Sequence, residues 1–259
     1  MHSEEQAPPW RRPPTRLFVV LPAYNEEESL GPLLERIDQA MFEDTLGYEV
    51  IVVDDGSADG TFAVAERYAD HMPVRVERHQ QNQGLGATIR DGLKTAAATC
   101  RDDDIVVAMD ADNTHTPGLI RSLARLIQEG ADVVIASRYQ PGARVVGVPW
   151  HRRMLSFGAS VLMRAVFPIK GVRDYTCGFR AYRGAVLKEA FAQIGDEFVS
   201  EEGFQCMVDI LLKLRRMHLI FREVPLILRY DLKESASKMD VWHTVTRTLR
   251  LIARRRLEG

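Results

Sequence analysis

Two carboxylates two residues apart, Asp110 and Asp112, lie at the middle of the stretch DIVVAMDADNTHTP at residues 104–117. In extended backbone, residues i and i+2 point to the same side, so both carboxylates can face one cation or one polar ligand. A hard divalent metal carrying a diphosphate suits such a pair. The run before it, Ile105 to Met109, is short, apolar and β-branched, as expected of a strand covered on both faces in a parallel sheet. Two further acidic loops follow apolar runs in the same way: Tyr24 to Glu28 and Asp54 to Thr61. In open α/β sheets, ligands bind beyond the carboxyl ends of the strands. Helix capping accounts for Asp54, Asp55 and Ser57, and a helix-start signal accounts for Asn25 with the glutamates after it. Neither accounts for an acidic pair at the end of a buried strand.

The elements that must position these loops alternate along the chain. Strands are expected at Leu17 to Leu21, Tyr48 to Val53, Val74 to Glu77, Ile105 to Met109 and Val133 to Ala136. Helices are expected at about Ser29 to Met41, Thr61 to Tyr68, Gly86 to Ala98 and Pro117 to Gln128. That alternation predicts βαβ units and an α/β fold with a mostly parallel sheet. The 259 residues, 46% of them hydrophobic, suit one large domain. The division expected is a disordered Pro-rich tail at 1–15, the domain at 16–239 and a basic segment at 240–259.

Cys100, Cys177 and Cys206 are widely spaced and form no C-x-x-C pair, which argues against a disulfide framework or zinc site and for a reducing, cytoplasmic setting. No signal peptide and no membrane span are read in the sequence. The net charge of -2 hides an asymmetry. From Arg138 to Arg183 there are nine Lys or Arg against Asp174 alone, and from Val241 to Gly259 five Arg against one Glu. The first region suits an anionic partner, although a charge run taken alone is more often solvated surface. Gly84-x-Gly86 lacks the third glycine of a dinucleotide fingerprint and follows a third strand, so an oxidoreductase is not indicated.

The segments LPAYNEEESL, VIVVDDGSADGT, NQGLGATIRDGL, MDADNTHTP, ASRY, DYTCGFRAYR and ESASKM together resemble the successive motifs of family 2 glycosyltransferases, in particular the dolichyl-phosphate mannosyltransferase and polyprenyl-phosphate glycosyltransferase group. The resemblance runs from about Leu17 to Met239 and implies a GT-A fold, a single Rossmann-like, mostly parallel sheet flanked by helices. It further implies that Pro22, Tyr24 and Glu26 hold the nucleotide, that Val53 and Asp55 grip its base, and that Asp110, Ala111 and Asp112 hold the ribose and the metal-bound diphosphate. Asp112 would be the direct metal ligand with Asp110 beside it, and the metal would be Mg²⁺ or Mn²⁺. Arg229 and Lys238 would close over the diphosphate.

On the acceptor side, Trp150 to Phe167 sets apolar residues at helical spacing among Arg152, Arg153 and Arg164, a pattern that fits an amphipathic core helix as well as a cationic binding face. The resemblance places a lipid phosphate against Arg138, Arg152 and Ser156, where a planar guanidinium pairs two phosphate oxygens. Asp112, Arg138 and Arg152 would then be the catalytic residues. A phosphate monoester is largely dianionic at neutral pH, so it needs positioning more than a general base. The expected reaction is inverting transfer of a sugar from a nucleotide-sugar of the GDP-mannose or UDP-glucose type to a polyprenyl phosphate such as dolichyl or undecaprenyl phosphate.

The alternative is a hydroxyl acceptor, which requires a carboxylate base, with Glu201, Glu202 and Asp174 the candidates. The resemblance departs at Asn113-Thr114-His115, where mannosyltransferases of the group commonly carry Leu-Gln-His with the glutamine helping the metal; Thr114 is a poorer ligand, for which His115 or a water would compensate. The last segment, VWHTVTRTLRLIARRR, reads as a basic amphipathic helix. It fits either docking on the domain's own core or a peripheral contact with the inner face of the cytoplasmic membrane. No nucleic-acid partner is expected.

Overall fold

The structure is a computed structural model that describes residues 15–44 and 47–230, without the side chains of 43, 44, 151–153 and 155. The tail 1–14, Lys238 and the segment 240–259 lie outside the described residues, as does the side chain of Arg152.

Four near-continuous apolar strands build the centre: β1 (Leu17–Ala23), β2 (Tyr48–Asp54), β4 (Ile105–Ala108) and β5 (Val133–Ser137). Every residue of β1, β4 and β5 is buried, as a sheet covered by helices on both faces requires. With β3 (Val74–Arg78), β7 (Arg180–Arg183) and β8 (Phe221–Pro225) they form a seven-stranded sheet in the order β3-β2-β1-β4-β7-β5-β8. All pairings are parallel except those of β7, which runs antiparallel between β4 and β5. The sequence reading included neither β7 nor β8.

The helices that return the chain are α1 (Glu27–Asp44), α2 (Thr61–Ala69), α3 (Leu85–Thr99) and α4 (Leu119–Gln128). They are followed by α5 (Trp150–Val166), α6 (Gly184–Ile194) and α7 (Cys206–Leu214). α4 buries Ile120, Leu123, Ala124 and Ile127, the 3.6-residue stripe that a surface helix turns to its core. α3 buries small residues, Gly86, Gly92, Ala96 and Ala97 among them. A Cβ at Gly92 would meet Val20 Cγ1 at 2.4 Å, so glycine there sets how closely α3 lies on the sheet. A second, two-stranded parallel sheet joins β6 (Arg144–Val146) to β9 (Ile227–Arg229), and β9 also bridges His115 through Leu228.

α7 runs into a 3-10 turn, Arg215–Met217, that ends at His218 in the left-handed region at φ 55°. Glycine normally fills that cap position, and His218 is exposed, so nothing opposes the exchange. His218→Gly is expected to stabilise the fold by about 0.5–1 kcal/mol, the relief of left-handed strain less the greater unfolded-state freedom of glycine. Thermal denaturation should then show a rise of about 1–4 °C.

Candidate active site

Register places the acidic loops along one edge. Pro22 lies opposite Val53 and Ala23 opposite Asp54, while Val20 pairs with Ala108 and the Met109 N–H donates to Val20 O. The chain therefore leaves β1, β2 and β4 side by side, and Tyr24, Asp55 and Asp110 follow at neighbouring strand ends.

The first two loops are clasped together. The Asn25 N–H donates to Ser57 Oγ at 2.9 Å, and the Ala58 N–H donates back to Asn25 Oδ1 at 2.9 Å. The Glu26 N–H donates to Thr61 Oγ1, the Gly60 N–H to Glu27 Oε2 and the Glu27 N–H to Asp59 Oδ2. Most of these capping bonds thus cross from loop to loop, although Asp59 also accepts the Thr61 N–H within its own loop. Asn25 takes a left-handed φ of 51° to make the turn, a conformation asparagine tolerates. Tyr24 is left at the surface beside the buried Glu26.

Asp54 is wholly buried and paired with Arg78 at 3.2 Å. Asp55 Oδ1 accepts from His79 and the Gln83 N–H, and its Oδ2 accepts from the Gly84 N–H at 2.9 Å. The segment after Ser200 lies against the same turn, where the Gly86 N–H donates to Glu202 O at 2.8 Å. A Cβ at Gly86 would sit 1.8 Å from Glu201 O. Gly84-x-Gly86 therefore admits another stretch of backbone, and the acidic segment 201–202 is brought beside Asp55, with the Glu202 residue exposed and Glu201 half-buried.

At the end of β4 the loop is braced from three sides. Thr114 donates its hydroxyl to Asp112 Oδ1 at 2.7 Å and its N–H to the same oxygen at 3.2 Å. His115 is buried, stacks on Phe179 and accepts the Asp110 N–H at Nδ1. Thr114 and His115 thus both brace the carboxylate residues of this loop. Asn113, at φ 61°, receives Arg36 Nη1 on Oδ1 at 2.5 Å, and the Arg229 N–H donates to Thr114 O at 3.0 Å. Burial and the neighbouring Arg229 lower the pKa of Arg36. Arg36 had no signal in the sequence beyond its place on α1.

Asp110 keeps 38% of its side chain exposed, and Gly178 leaves room at its Oδ1, 3.3 Å from where a Cβ would stand. Among the described residues no three His, Cys, Asp or Glu side chains group to cage a metal. Two acidic residues so close in the chain, Asp110 partly exposed and Asp112 half-buried, nevertheless fit a Mg²⁺- or Mn²⁺-type ion, which is commonly held by one or two carboxylates plus substrate phosphates.

Of the residues that the resemblance assigns to the acceptor, Arg138 and Ser156 both lie against Tyr139. Arg138 donates through Nε and Nη2 to Asp174 at 2.8 and 2.7 Å and through Nη2 to Thr176 Oγ1 at 2.5 Å. Asp174 also accepts the backbone N–H groups of Arg138, Thr176 and Cys177. Burial opposes both charges, but each partner outweighs it, so the pKa of Arg138 is raised and that of Asp174 lowered. Asp174 is wholly enclosed, which corrects its candidacy as a general base. Nη1 of Arg138 makes no hydrogen bond among the described residues. Tyr139 follows, with its hydroxyl 2.9 Å from Ser156 Oγ and its ring edge-on to Phe157. Arg152 lies one turn before Ser156 on α5.

The outer side of α5 carries Trp150, Met154, Phe157 and Val161 at 76%, 61%, 51% and 46% exposure. Those positions fall on one helical face, so the sequence reading of α5 as a core helix accounts for only part of it. No helix among the described residues is long and apolar enough to cross a membrane. All three cysteines are free and buried, and burial pushes the Cys177 and Cys206 thiols up to about 12.

A mostly parallel sheet with one antiparallel insertion, a small second sheet and acidic loops following β1, β2 and β4 defines the GT-A class of glycosyltransferases. Solved structures agree on the fold. Glucosyl-3-phosphoglycerate synthase from Mycobacterium tuberculosis in complex with Mn²⁺, UDP and glucosyl-3-phosphoglycerate is 23% identical with a TM-score of 0.64, covering 95% of this chain and 79% of that one. The same enzyme with Mg²⁺ and UDP gives 21% identity and a TM-score of 0.64, with the same coverage of both chains. In sequence, the glycosyl transferase family 2 profile matches residues 18–191. A polyprenol monophosphomannose synthase of Mycolicibacterium smegmatis is 36% identical over 201 residues, 77% of this chain and 72% of that one. An undecaprenyl-phosphate mannosyltransferase of Micrococcus luteus is 34% identical over 212 residues, 82% of each chain. A dolichol-phosphate mannosyltransferase of Pyrococcus furiosus is 36% identical over 199 residues, 76% of this chain, and the match spans about half, 53%, of that protein. The chain belongs to glycosyl transferase family 2.

Proposed function

We propose that this protein transfers a sugar, with inversion, from a nucleotide-sugar of the GDP-mannose or UDP-glucose type to a polyprenyl phosphate at a membrane surface. The observation that carries the lipid-phosphate acceptor is the apolar stripe of α5, Trp150, Met154, Phe157 and Val161, lying outward on the helix that also carries Arg152 and Ser156. A solvated apolar stripe is costly unless it meets a lipid or protein surface. Here Phe157 of the stripe meets the Tyr139 ring, over which the Arg138 guanidinium lies, so a lipid chain on the stripe would bring its phosphate to the guanidinium side. The names of the relatives, all polyprenyl-type phosphate mannosyltransferases or synthases, support the same acceptor.

The donor lies beyond the carboxyl ends of β1, β2 and β4: Pro22, Tyr24 and Glu26 line the nucleotide, Val53 and Asp55 meet its base, and Asp110, Ala111 and Asp112 face ribose and diphosphate, with Arg229 and Lys238 closing over them. Asp112, with Asp110 beside it, holds a Mg²⁺ or Mn²⁺ ion. When bound, the ion offsets charge on the departing diphosphate. Arg138, Arg152 and Ser156 align the acceptor phosphate for in-line attack on the sugar carbon, and no protein base is needed because the nucleophile is already anionic.

The test is transfer of labelled sugar from a panel of GDP- and UDP-sugars to a short polyprenyl phosphate and, separately, to the matching polyprenol. Expected is transfer to the phosphate alone, reduced about 100-fold in Arg152→Ala as a charge-assisted phosphate contact is lost. Transfer only to the alcohol, lost in Glu201→Gln or Glu202→Gln, would establish the hydroxyl-acceptor reading in its place.

A further inference from the structure

His79 follows β3 directly, and its ring is wedged between two carboxylates. Nδ1 lies 2.7 Å from Asp55 Oδ1 and Nε2 lies 3.0 Å from Asp91 Oδ2, with the side chain 10% exposed. Each ring nitrogen thus lies within hydrogen-bond distance of a carboxylate oxygen. Asp91 belongs to α3 and is itself held by Arg90, Nε to Oδ1 at 2.8 Å and Nη2 to Oδ2 at 3.3 Å. Asp55 takes two further donors from the turn before α3, the N–H groups of Gln83 and Gly84. One imidazole thus ties the end of β2 to α3 across the end of β3.

The count of acceptor positions gives this bridge a purpose. A carboxylate offers about four lone-pair sites. Asp55 Oδ1 uses two, on His79 and Gln83, and Oδ2 uses one, on Gly84. Three donors in fixed positions set the plane of the carboxylate, and the remaining capacity is on Oδ2. We propose that His79 is a positioning residue for nucleobase recognition: through Asp55 it fixes the orientation in which Oδ2 accepts an N–H of the donor's base, with Asp91 as its anchor. The proposal rests on the reading of Asp55 as the group that meets the base. It adds two residues, His79 and Asp91, whose removal weakens the grip on the base and leaves the grip on the diphosphate intact.

The experiment is calorimetric titration of the wild type and variants with UDP, with GDP and with inorganic pyrophosphate as a base-free probe, all with Mn²⁺. His79→Ala is expected to weaken the better of the two nucleotides about tenfold, as loss of a charge-assisted bond would, and to leave pyrophosphate unchanged. His79→Asn, whose amide nitrogen stands in for Nδ1, should recover most of the loss. Asp91→Ala, which frees only the far ring nitrogen, should show the same split at about threefold and serves if His79→Ala does not fold. Nucleotide affinity kept in His79→Ala and Asp91→Ala but lost in Asp55→Asn would overturn the role of His79 alone. Affinity kept in Asp55→Asn would overturn the base reading beneath it. An equal loss for nucleotide and pyrophosphate would reduce His79 to a packing residue and also overturn the proposal.

Discussion

Asp112→Asn is expected to lower the rate of sugar transfer by about 10³-fold, on the order of 4 kcal/mol of transition-state stabilisation, and to leave the melting temperature within about 2 °C of the wild type. The substitution separates two tasks of this side chain. Oδ1 holds the loop by accepting the hydroxyl and N–H of Thr114, and an asparagine keeps that oxygen. The negative charge, which the proposed metal-bound diphosphate requires, is what the amide removes. Arg36 on Asn113 and His115 on the Asp110 N–H brace the loop independently, so its shape survives. Steady-state transfer and a thermal melt, both with Mn²⁺, check the two halves. Activity within threefold of the wild type would remove Asp112 from the metal site.

Asp174→Ala acts in the opposite sense, on the fold before the chemistry. It removes the carboxylate that neutralises Arg138 and accepts three backbone N–H groups, leaving a guanidinium without its counter-charge. Breaking a buried pair in this way costs about 3–5 kcal/mol, a large part of the 5–15 kcal/mol that typically holds a domain together, and urea denaturation should show the midpoint fall accordingly. The same pair sets an acid limit. The folded-state pKa of Asp174 is depressed, with Arg138 outweighing burial. Its contribution is therefore complete above the unfolded value of about 3.9 and is lost as pH falls through the lower folded one. Asp104, held by Arg101 and by the Arg16 N–H, is depressed too and adds in the same direction. Glu223, raised by burial, works against them. The acid loss of stability in Asp174→Ala should be shallower than in the wild type.

Strands β1, β2, β4 and β5 were legible because they are covered on both faces and their sequences are almost unbroken apolar runs, which no amphipathic helix imitates, while β3 at the edge, VRVER, was legible from its alternation. The three acidic loops were legible for a related reason: charged residues directly after such runs stand out. β7 was not, because RAYR carries two arginines in four residues. The structure shows why it is nonetheless a central strand: Arg180 is wholly buried and donates to the carbonyls of Met207 and Tyr175, while Arg183 reaches those of Ile127 and Ala131. Guanidinium groups that donate to backbone carbonyls elsewhere in the fold leave no pattern along the chain. The same holds for His79, Arg36 and the crossed bonds between loops 24–28 and 54–61, whose partners stand about 12 to 77 residues away. Asp174 and Arg138 were recognised as site residues by type and motif, yet their pairing with each other depends on a strand order the sequence did not disclose.

That strand order also dictates a sequence of assembly. β3, β2, β1 and β4 adjoin one another in the sheet and are complete once residue 108 has been made. β5, made next, has no neighbour among them, because its partners β7 and β8 both come later. During synthesis the growing chain must therefore hold the free edge of β4 open until residue 183 emerges, roughly 4–15 s at ordinary elongation rates. An unpaired apolar edge of that kind is a template for pairing with another chain. β7 is the keystone whose late arrival joins two half-sheets, and the vulnerable interval in the life of this protein is the wait for it.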